Sequence, residues 1–392
     1  LLSILSAVDG GAQAALMAPT EILAEQHVNT IRNLIEPLGL EVVLVTGRMR
    51  QAQRRKTLAS LSSGEVQVVV GTHALLQEDV VFSNLGLVVV DEQHRFGVEQ
   101  RAVLREKGAA VHLLVMTATP IPRSLALTLY GDLDVTVIDA LPPGRLPVRT
   151  GRRPAGDRAK AMEFLCSEVK KGRQAYIVYP LVSESEKSDL QAATVAFEDL
   201  QQGALAGLRL GLLHGRMKSG EKEAIMSAFR QGDLDALVAT TVIEVGVDVP
   251  NATVMMVEHA ERFGLSQLHQ LRGRVGRGTF ESYCILVADP QEGLSGEARE
   301  RLDAMAQTND GFEIAQADLS IRGPGHIFGT QQAGFPEFHF ADLARDGDVI
   351  TVARNEAKAL LDADPDLVLY DVLRGELDAV ALGDLQVIEA GS

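Results

Sequence analysis

The feature that most constrains the fold is a series of short apolar runs, each followed by a helical pattern. Ala14–Ala18 and Leu87–Val90 are two of these runs, and neither contains a polar residue. Strands of this composition are buried on both faces, which is typical of parallel sheets covered by helices. We therefore predict an α/β fold whose chemistry gathers at the carboxyl ends of the strands.

A proline-rich segment divides this alternating pattern into two halves. Residues 141–147 read LPPGRLP, a composition that interrupts both helices and strands. After it the alternation restarts, with a predicted helix over 157–171 and a predicted strand over 175–179. The sequence therefore predicts two parallel-sheet lobes, 1–140 and 148–290, joined by this hinge and separated by a cleft.

The rest of the chain does not continue the alternation. Residues 291–392 form a third predicted region, with helices expected over 296–307 and 341–361. Between them, residues 321–338 are rich in glycine and proline, which predicts no regular element. Long irregular segments of this kind are usually either functional or disordered.

Composition and charge narrow the class of protein. The chain has 392 residues and a net charge of -16, which argues against a uniformly basic coat on nucleic acid but allows basic clefts in an enzyme. Its two cysteines form neither a disulfide framework nor a metal-binding pattern, as expected in the reducing cytoplasm. No apolar run reaches the roughly twenty residues of a membrane span. The initial LLSILSAV lacks the features of a signal peptide, and we expect it to be the tail of a helix.

Two adjacent carboxylates follow an apolar strand. Asp91 and Glu92 come directly after LVVV, at the predicted carboxyl edge of the first sheet. A nucleotide-bound Mg²⁺ takes few carboxylate ligands and keeps several of its waters. We predict that Asp91 and Glu92 form the magnesium site, and that Glu92 orients or deprotonates the attacking water. The alternative is an acidic cap at the start of the next helix.

An arginine cluster in the second half supplies the opposite charge. Residues 267–278 read QLHQLRGRVGRG, and on a helix Arg274 and Arg277 would leave the same face. Guanidinium groups bind phosphate oxygens in a bidentate manner, so a phosphate partner is predicted. The alternative is a solvated basic face. By contrast, His27, His112 and His259 show no ligand spacing and are expected to be ordinary structural histidines.

Seven segments in a fixed order resemble those of superfamily 2 nucleic-acid helicases and translocases. They read PTEILAEQ, GTHALL, DEQHRFG, TATPIPR, HGRM, ATTVIEVGVDVPNA and QLHQLRGRVGRG. Two later segments, TNDGFEIAQADLSIRGPG and FGTQQAG, are similar to the RecG family of DNA helicases. This resemblance implies two RecA-like lobes followed by a helical and irregular translocation-motif region. It also implies ATP and Mg²⁺ as substrate and cofactor, and branched or duplex DNA as partner.

The resemblance further implies roles for individual residues. DNA contacts are implied for Pro19, Thr20, Glu21, Gly71, Thr72, His73, His214, Gly215, Arg216, Thr240 and Thr241. Coupling of ATP hydrolysis to DNA binding is implied for His94, Thr117, Thr119, Arg322 and Gln331. Gly246 and Asp248 are implied beside the nucleotide, and Gln270, Arg274 and Arg277 as catalytic groups facing the triphosphate. Arginine fingers of this kind raise hydrolysis rates by about 10³–10⁵.

Two parts of the family pattern have no counterpart in this sequence. No segment matches G-x-x-x-x-G-K-S/T, the loop whose backbone and lysine hold the phosphates, and no wedge domain of the OB-fold type precedes the first lobe. We therefore expect a fragment that by itself hydrolyses ATP negligibly. His326 stands where family members carry an acidic residue, so no role is implied for it.

Three functions fit these observations. The first is an ATP-dependent motor that remodels branched DNA, such as stalled replication forks and Holliday junctions, in recombination and repair. The second is a duplex translocase of the transcription-repair coupling factor type, and the third is a non-catalytic nucleic-acid-binding fragment. We expect a cytoplasmic monomer, with single-stranded DNA-binding protein as a further partner.

Overall fold

A computed structural model describes ten segments of the chain. They are residues 1–92, 107–108, 110–117, 134–138, 140–142, 144–180, 186–240, 248–288, 294–322 and 346–378. The chain forms two compact units, residues 1–120 with 140–318 and residues 121–139 with 319–392. Both β-sheets belong to the first unit.

The first lobe is a parallel sheet with helices on both faces. In the described residues its strands are β1 (Gln13–Met17), β2 (Val42–Val45), β3 (Val68–Gly71), β4 (Leu85–Val90) and β5 (His112–Val115), and the helices described there are α1 (Leu2–Asp9), α2 (Glu21–Ile35) and α3 (Gln51–Ser62). The strands lie in the order β2-β3-β1-β4-β5. One face packs against Leu61 of α3, and the other against Ile4 of α1 and Val28 of α2. All five residues of β1 are buried, because helices cover it on both sides.

The second lobe is a six-stranded parallel sheet in the order β6-β11-β10-β7-β9-β8. Its elements in chain order are β6 (Arg149–Pro154), α4 (Arg158–Lys170), β7 (Gln174–Val178), α5 (Glu186–Gln202), β8 (Leu210–Leu213), α6 (Ser219–Gln231), β9 (Ala236–Ala239), β10 (Ala252–Val257), α7 (Leu265–Arg272) and β11 (Tyr283–Ala288). Within the described segments, the helices α8 (Gly296–Gln307), α9 (Gly311–Arg322) and α10 (Gly347–Ala363) follow, and residues 371–378 are helical as well.

The predicted α/β class with two parallel-sheet lobes is confirmed. The hinge at 141–147 lies between the two sheets in the sequence, and the domain bounds drawn around it stay predictions. Strand β6 was missed, since its sequence RTGRRP is polar and, among the described strands, it pairs with β11 alone at the edge of the sheet. None of the helices in the described segments is long and apolar enough to cross a membrane.

The two lobes repeat one structural unit. Their strand orders match when β1 is placed on β7, β4 on β10 and β5 on β11. Gln13 begins β1 and donates its side-chain amide to the carbonyl of Val66, just before β3, at 2.7 Å. Gln174 begins β7 and donates in the same way to Leu234, just before β9, at 2.8 Å. Both glutamines are buried, so each lobe ties its central strand to a neighbouring loop by an equivalent hydrogen bond.

Candidate nucleotide and nucleic-acid site

Asp91 lies at the carboxyl edge of the first sheet with its carboxylate held at both oxygens. Its backbone N–H continues the ladder by donating to the carbonyl of Met17 at 2.9 Å. Oδ1 accepts the backbone N–H of Glu92 at 3.0 Å, and Oδ2 lies 2.8 Å from Nε2 of His27. Because a carboxylate only accepts hydrogen bonds, the imidazole is the donor in this pair. The side chain of Asp91 stays 21% exposed, so the held carboxylate remains accessible.

Glu92 follows in an unusual backbone conformation. Its φ is 54°, in the left-handed region that residues with a Cβ rarely adopt. Such conformations cost of order 1–3 kcal/mol and cluster at functional sites. The turn redirects the chain directly after Asp91. On the neighbouring strand, the Met116 N–H donates to Val90 O at 2.8 Å, one residue beyond β5, and the next residue, Thr117, is exposed.

The acidic edge fits a magnesium ion that is shared with a phosphate ligand. Within the described segments, no group of three or more His, Cys, Asp or Glu side chains could hold a metal ion by itself. Mg²⁺ in nucleotide sites takes one or two carboxylates and completes its shell with phosphate oxygens and water. The hard oxygens of Asp91 and Glu92 match that requirement, and Asp91 is pre-oriented for it.

The arginine cluster is helical only up to Arg272, and the prediction that Arg274 and Arg277 leave one helical face was wrong. Helix α7 ends at Arg272, and Gln270 lies within its last turn. Gly276 has a φ of +75°, and a Cβ there would lie 2.7 Å from a Val148 methyl group. The two arginines are therefore presented by a tight turn whose glycine keeps it against the start of the second lobe.

Arg277 faces a cleft between the two lobes. Its Nε donates to the carbonyl of Gly273 at 3.1 Å, and its Nη1 lies 3.6 Å from Oδ1 of Asp248. A cavity of about 440 Å³ opens beside this pair. Its lining includes Leu23, Gln26, His27, Asn29 and Thr30 of α2, and Arg230, Asp248 and Arg277 of the second lobe. The structure thus brings Arg277 and Asp248 to the same cavity as His27, the partner of Asp91.

Arg274 and Arg272 are both buried, and Arg272 has a structural role. Arg274 is only 8% exposed. Arg272 is 3% exposed, and its Nη1 donates to the carbonyls of Met305 and Thr308 at 3.1 and 2.7 Å. Burial lowers the pKa of Arg272 without removing its charge, so these carbonyls at the end of α8 stabilise a buried cation. Arg272 therefore anchors the arginine turn to the helix that follows the lobe.

The predicted DNA-contact residues of the first lobe lie at strand ends, where they shape the local backbone. Thr20 caps α2, since its hydroxyl accepts the N–H of Leu23 at 3.4 Å. Thr72 caps a short 3₁₀ helix, His73–Leu76, and is buried, whereas His73 is exposed. A Cβ at Gly71 would lie 2.4 Å from a backbone oxygen, so glycine is required there. Of this group, His73 presents the most accessible side chain, and Pro19 and Glu21 are half-buried.

The corresponding residues of the second lobe lie at the ends of β8 and β9. His214 follows β8, and burial and nearby Lys222 lower the pKa of its imidazole. Gly215 and Arg216 are exposed. Thr240 is 2% exposed, and its hydroxyl has no hydrogen-bond partner within the described part of the chain. An unsatisfied buried hydroxyl costs free energy, so this one is a candidate for a ligand contact.

Several predicted residues fall outside what the structure describes. They are His94, Thr119, Thr241, Gly246 and Gln331, together with the side chain of Arg322. Arg322 itself is the last residue of α9. The roles predicted for these positions stay predictions.

Three residues make contacts at or near the candidate site that the sequence did not predict. His27 meets Asp91 across 64 positions, and Arg145 donates to the carbonyl of Gly276 at 3.0 Å across 131 positions. Arg272 was one arginine of a cluster and gave no sign of its carbonyl partners. No local spacing rule links residues so far apart, so only the fold could bring them together.

Comparison with known proteins supplies the family. The DEAD/DEAH box helicase family matches residues 1–128, and the helicase conserved C-terminal domain matches residues 158–279. The C-terminal part of domain 3 of the ATP-dependent DNA helicase RecG matches residues 308–378. The RecG helicase of Synechocystis sp. is 54% identical over 377 residues, 96% of this chain and 45% of that protein. The chain belongs to the RecG helicase family.

Other members and solved structures agree with this assignment. The RecG helicase of Acidithiobacillus ferridurans is 54% identical over 94% of this chain and 54% of its own length. A structure of RecG bound to a three-way DNA junction is 47% identical, with a TM-score of 0.71, over 89% of this chain and 45% of that chain. Yeast Dbp5, at 15% identity and a TM-score of 0.54, shares the RecA-like fold alone. The chain thus spans about half the length of the curated relatives it matches.

Proposed function

We propose that this chain is the motor portion of an ATP-dependent DNA translocase that remodels branched DNA, such as stalled forks and Holliday junctions, in recombination and repair. One observation carries the proposal. The helix that holds Asp91 through His27 and the turn that presents Arg277 line the same cavity from opposite lobes. A cavity lined on one side by the helix whose His27 contacts Asp91, and on the other by Arg230 and Arg277, suits a nucleoside triphosphate.

The residues on the two sides would divide the work of hydrolysis. Asp91 would hold Mg²⁺, which would neutralise part of the phosphate charge, and Glu92 would orient the attacking water. Arg277 would exchange Asp248 for the γ-phosphate, since its ion pair at 3.6 Å is long and its side chain is 30% exposed. Arg274 and Gln270 would face the triphosphate beside it, and Asp248 and Gly246 would then lie near the ribose.

The DNA contacts would read the backbone rather than the bases. Thr20, Thr72 and Thr240 place hydroxyls and strand-end amides at the carboxyl edges of both sheets. Such groups bind phosphates without carrying sequence information. We therefore expect binding that depends on DNA shape and salt rather than on sequence.

The 392-residue chain by itself should hydrolyse ATP negligibly. It has no G-x-x-x-x-G-K-S/T segment to hold the phosphates, so its acidic edge and arginines would act on a poorly held substrate. A motor of the coupling-factor type is less well supported, because the RecG-specific match covers residues 308–378. A cytoplasmic location, a monomeric state and contact with single-stranded DNA-binding protein stay predictions.

The test is an ATPase and unwinding assay on the full-length product of the gene. We expect turnover to rise most with forked DNA, less with linear duplex and least with single strands, and a forked substrate to be remodelled in an ATP-dependent manner. The isolated 392-residue chain, assayed in parallel, should show no turnover above background. Absence of stimulation by every DNA would remove the motor proposal, and steady DNA-stimulated turnover by the isolated chain would remove the claim of inactivity.

A further inference from the structure

His27 is placed to control the orientation of Asp91. With Nε2 of His27 at 2.8 Å from Oδ2 and the Glu92 N–H at 3.0 Å from Oδ1, the carboxylate plane is fixed by one donor on each oxygen. Each oxygen still has a second lone pair, so this hydrogen bonding does not block a metal ion. Partners of this kind orient metal-binding carboxylates and set the affinity of the site.

The helix that carries His27 also begins at a predicted DNA contact. Thr20 caps α2, and Glu21 is its first residue. His27 lies seven residues beyond Thr20, which corresponds to about 10 Å along a helix. Buried Ala24 and Val28 hold this part of the helix against the sheet, so we expect Thr20 and His27 to move together. A shift of the Thr20 end on DNA binding would therefore reach the carboxylate of Asp91.

The second lobe provides an internal comparison. Glu258 directly follows β10, as Asp91 directly follows β4, and the next residues, His259 and Glu92, have φ angles of 49° and 54°. Glu258 is only 4% exposed and pairs with Nε of Arg158 at 2.6 Å. The carboxylate of Glu258 is thus paired with a permanently charged guanidinium and shielded from solvent. Asp91 is paired with an imidazole instead, and its side chain stays 21% exposed.

We infer that His27 is a positioning residue that sets the orientation of Asp91 for the metal ion and links it, through α2, to the DNA contact at Thr20. This inference rests on the proposed function, because it gives Asp91 a metal-binding role. It predicts that loss of the His27 donor weakens the dependence of nucleotide binding on Mg²⁺ and the stimulation of ATP turnover by DNA, and that both fall by more than nucleotide affinity in the absence of metal.

The test compares His27→Leu, which removes the donor, with His27→Gln, whose amide can still donate to Asp91. His112→Leu is the matched control, because His112 is exposed on β5 and has no role in the site. In the full-length gene product, the affinity for a fluorescent ADP is measured against Mg²⁺ concentration and again in EDTA. The ATPase rate is measured with and without forked DNA.

For His27→Leu we expect the Mg²⁺ concentration at half-maximal effect to rise by about 10-fold or more, in the range typical of lost outer-shell partners. DNA stimulation should fall with it, and the affinity in EDTA should change much less than the affinity in Mg²⁺. His27→Gln should restore most of both effects, and His112→Leu should behave as the wild type. Wild-type Mg²⁺ dependence in His27→Leu, or equal damage in His27→Gln, overturns the inference. The Mg²⁺ titration needs no turnover, so its outcome is separate from that of the DNA-stimulated ATPase that tests the proposed function.

Discussion

Arg272 should be the side chain that fastens the arginine turn to the helix beyond the second lobe. Its guanidinium donates to Met305 O at 3.1 Å, Thr308 O at 2.7 Å and Asn309 O at 3.3 Å. Arg272→Met keeps most of the packing volume but leaves these carbonyls without their donor. Loss of each of the two shorter bonds should cost about 1–3 kcal/mol, with the smaller cost at Thr308 O, which is only part-buried. Removal of the buried charge offsets part of this cost, so the free energy of local opening should decrease by about 2–4 kcal/mol in Arg272→Met.

Arg152→Met is the matched control for this prediction. Arg152 also reaches α8, through an ion pair with Asp303 at 2.8 Å, but both partners are exposed. Exposed ion pairs contribute at most about 1 kcal/mol.

The assay is native-state hydrogen exchange of the amides over 300–310 in the 392-residue chain, which reports local opening. A loss of about 3 kcal/mol should speed exchange there by about 10²-fold in Arg272→Met, with less than about 5-fold in Arg152→Met. Similar exchange in the two variants would refute the anchoring role.

Three further predictions concern other described positions. Burial, and then the charge of Arg272, lower the pKa of His269 from 6.5 to about 4. The unfolded chain therefore binds a proton more readily than the folded chain, and the free energy of unfolding should decrease as the pH falls from about 6.5 to about 4. The decrease should be at most about 3 kcal/mol, since solvent screening makes it smaller. In urea titrations, His269→Gln should show a weaker dependence of stability on pH. Gly276→Ala should destabilise more than Gly207→Ala, because both have positive φ but only the first Cβ would clash, at 2.7 Å; equal unfolding midpoints would contradict this. Thr240→Val and Thr253→Val should each leave stability unchanged or raise it by about 1 kcal/mol, because both hydroxyls are buried without a partner in the described segments. Of these two variants, only Thr240→Val should weaken binding to labelled duplex DNA.

The sequence was most informative where one local property decides the structure. The apolar run Leu87–Val90 predicted a buried strand, and β4 covers it, because burial on both faces leaves no room for polar residues. Strand β6 escaped prediction for the opposite reason, since an edge strand with three arginines carries no apolar signal. The helix predicted through the arginine cluster ends at Arg272, and Gly276 beyond it adopts a positive φ, which is not a helical conformation.

The candidate site was predictable as a set of motifs but not as an arrangement. Asp91 and Glu92 could be placed at a strand end from the sequence, and Arg277 could be given a phosphate partner by its chemistry. The contact from His27 to Asp91 and the ion pair from Arg277 to Asp248 depend on how elements far apart in the chain pack together. Local patterns do not encode such contacts, so the structure was needed to find them.

The most direct test of the account is ATP turnover by the full-length gene product when the two arginines proposed to face the triphosphate are removed. Arg277→Ala and Arg274→Ala are compared with Arg209→Ala, an exposed arginine paired with Asp235 outside the cleft. With forked DNA, turnover should fall by about 10³-fold or more in the first two variants. Binding of a fluorescent ATP analogue should change little, and Arg209→Ala should hydrolyse ATP as the wild type does. Wild-type turnover in both Arg274→Ala and Arg277→Ala would contradict the claim that these arginines complete the active site.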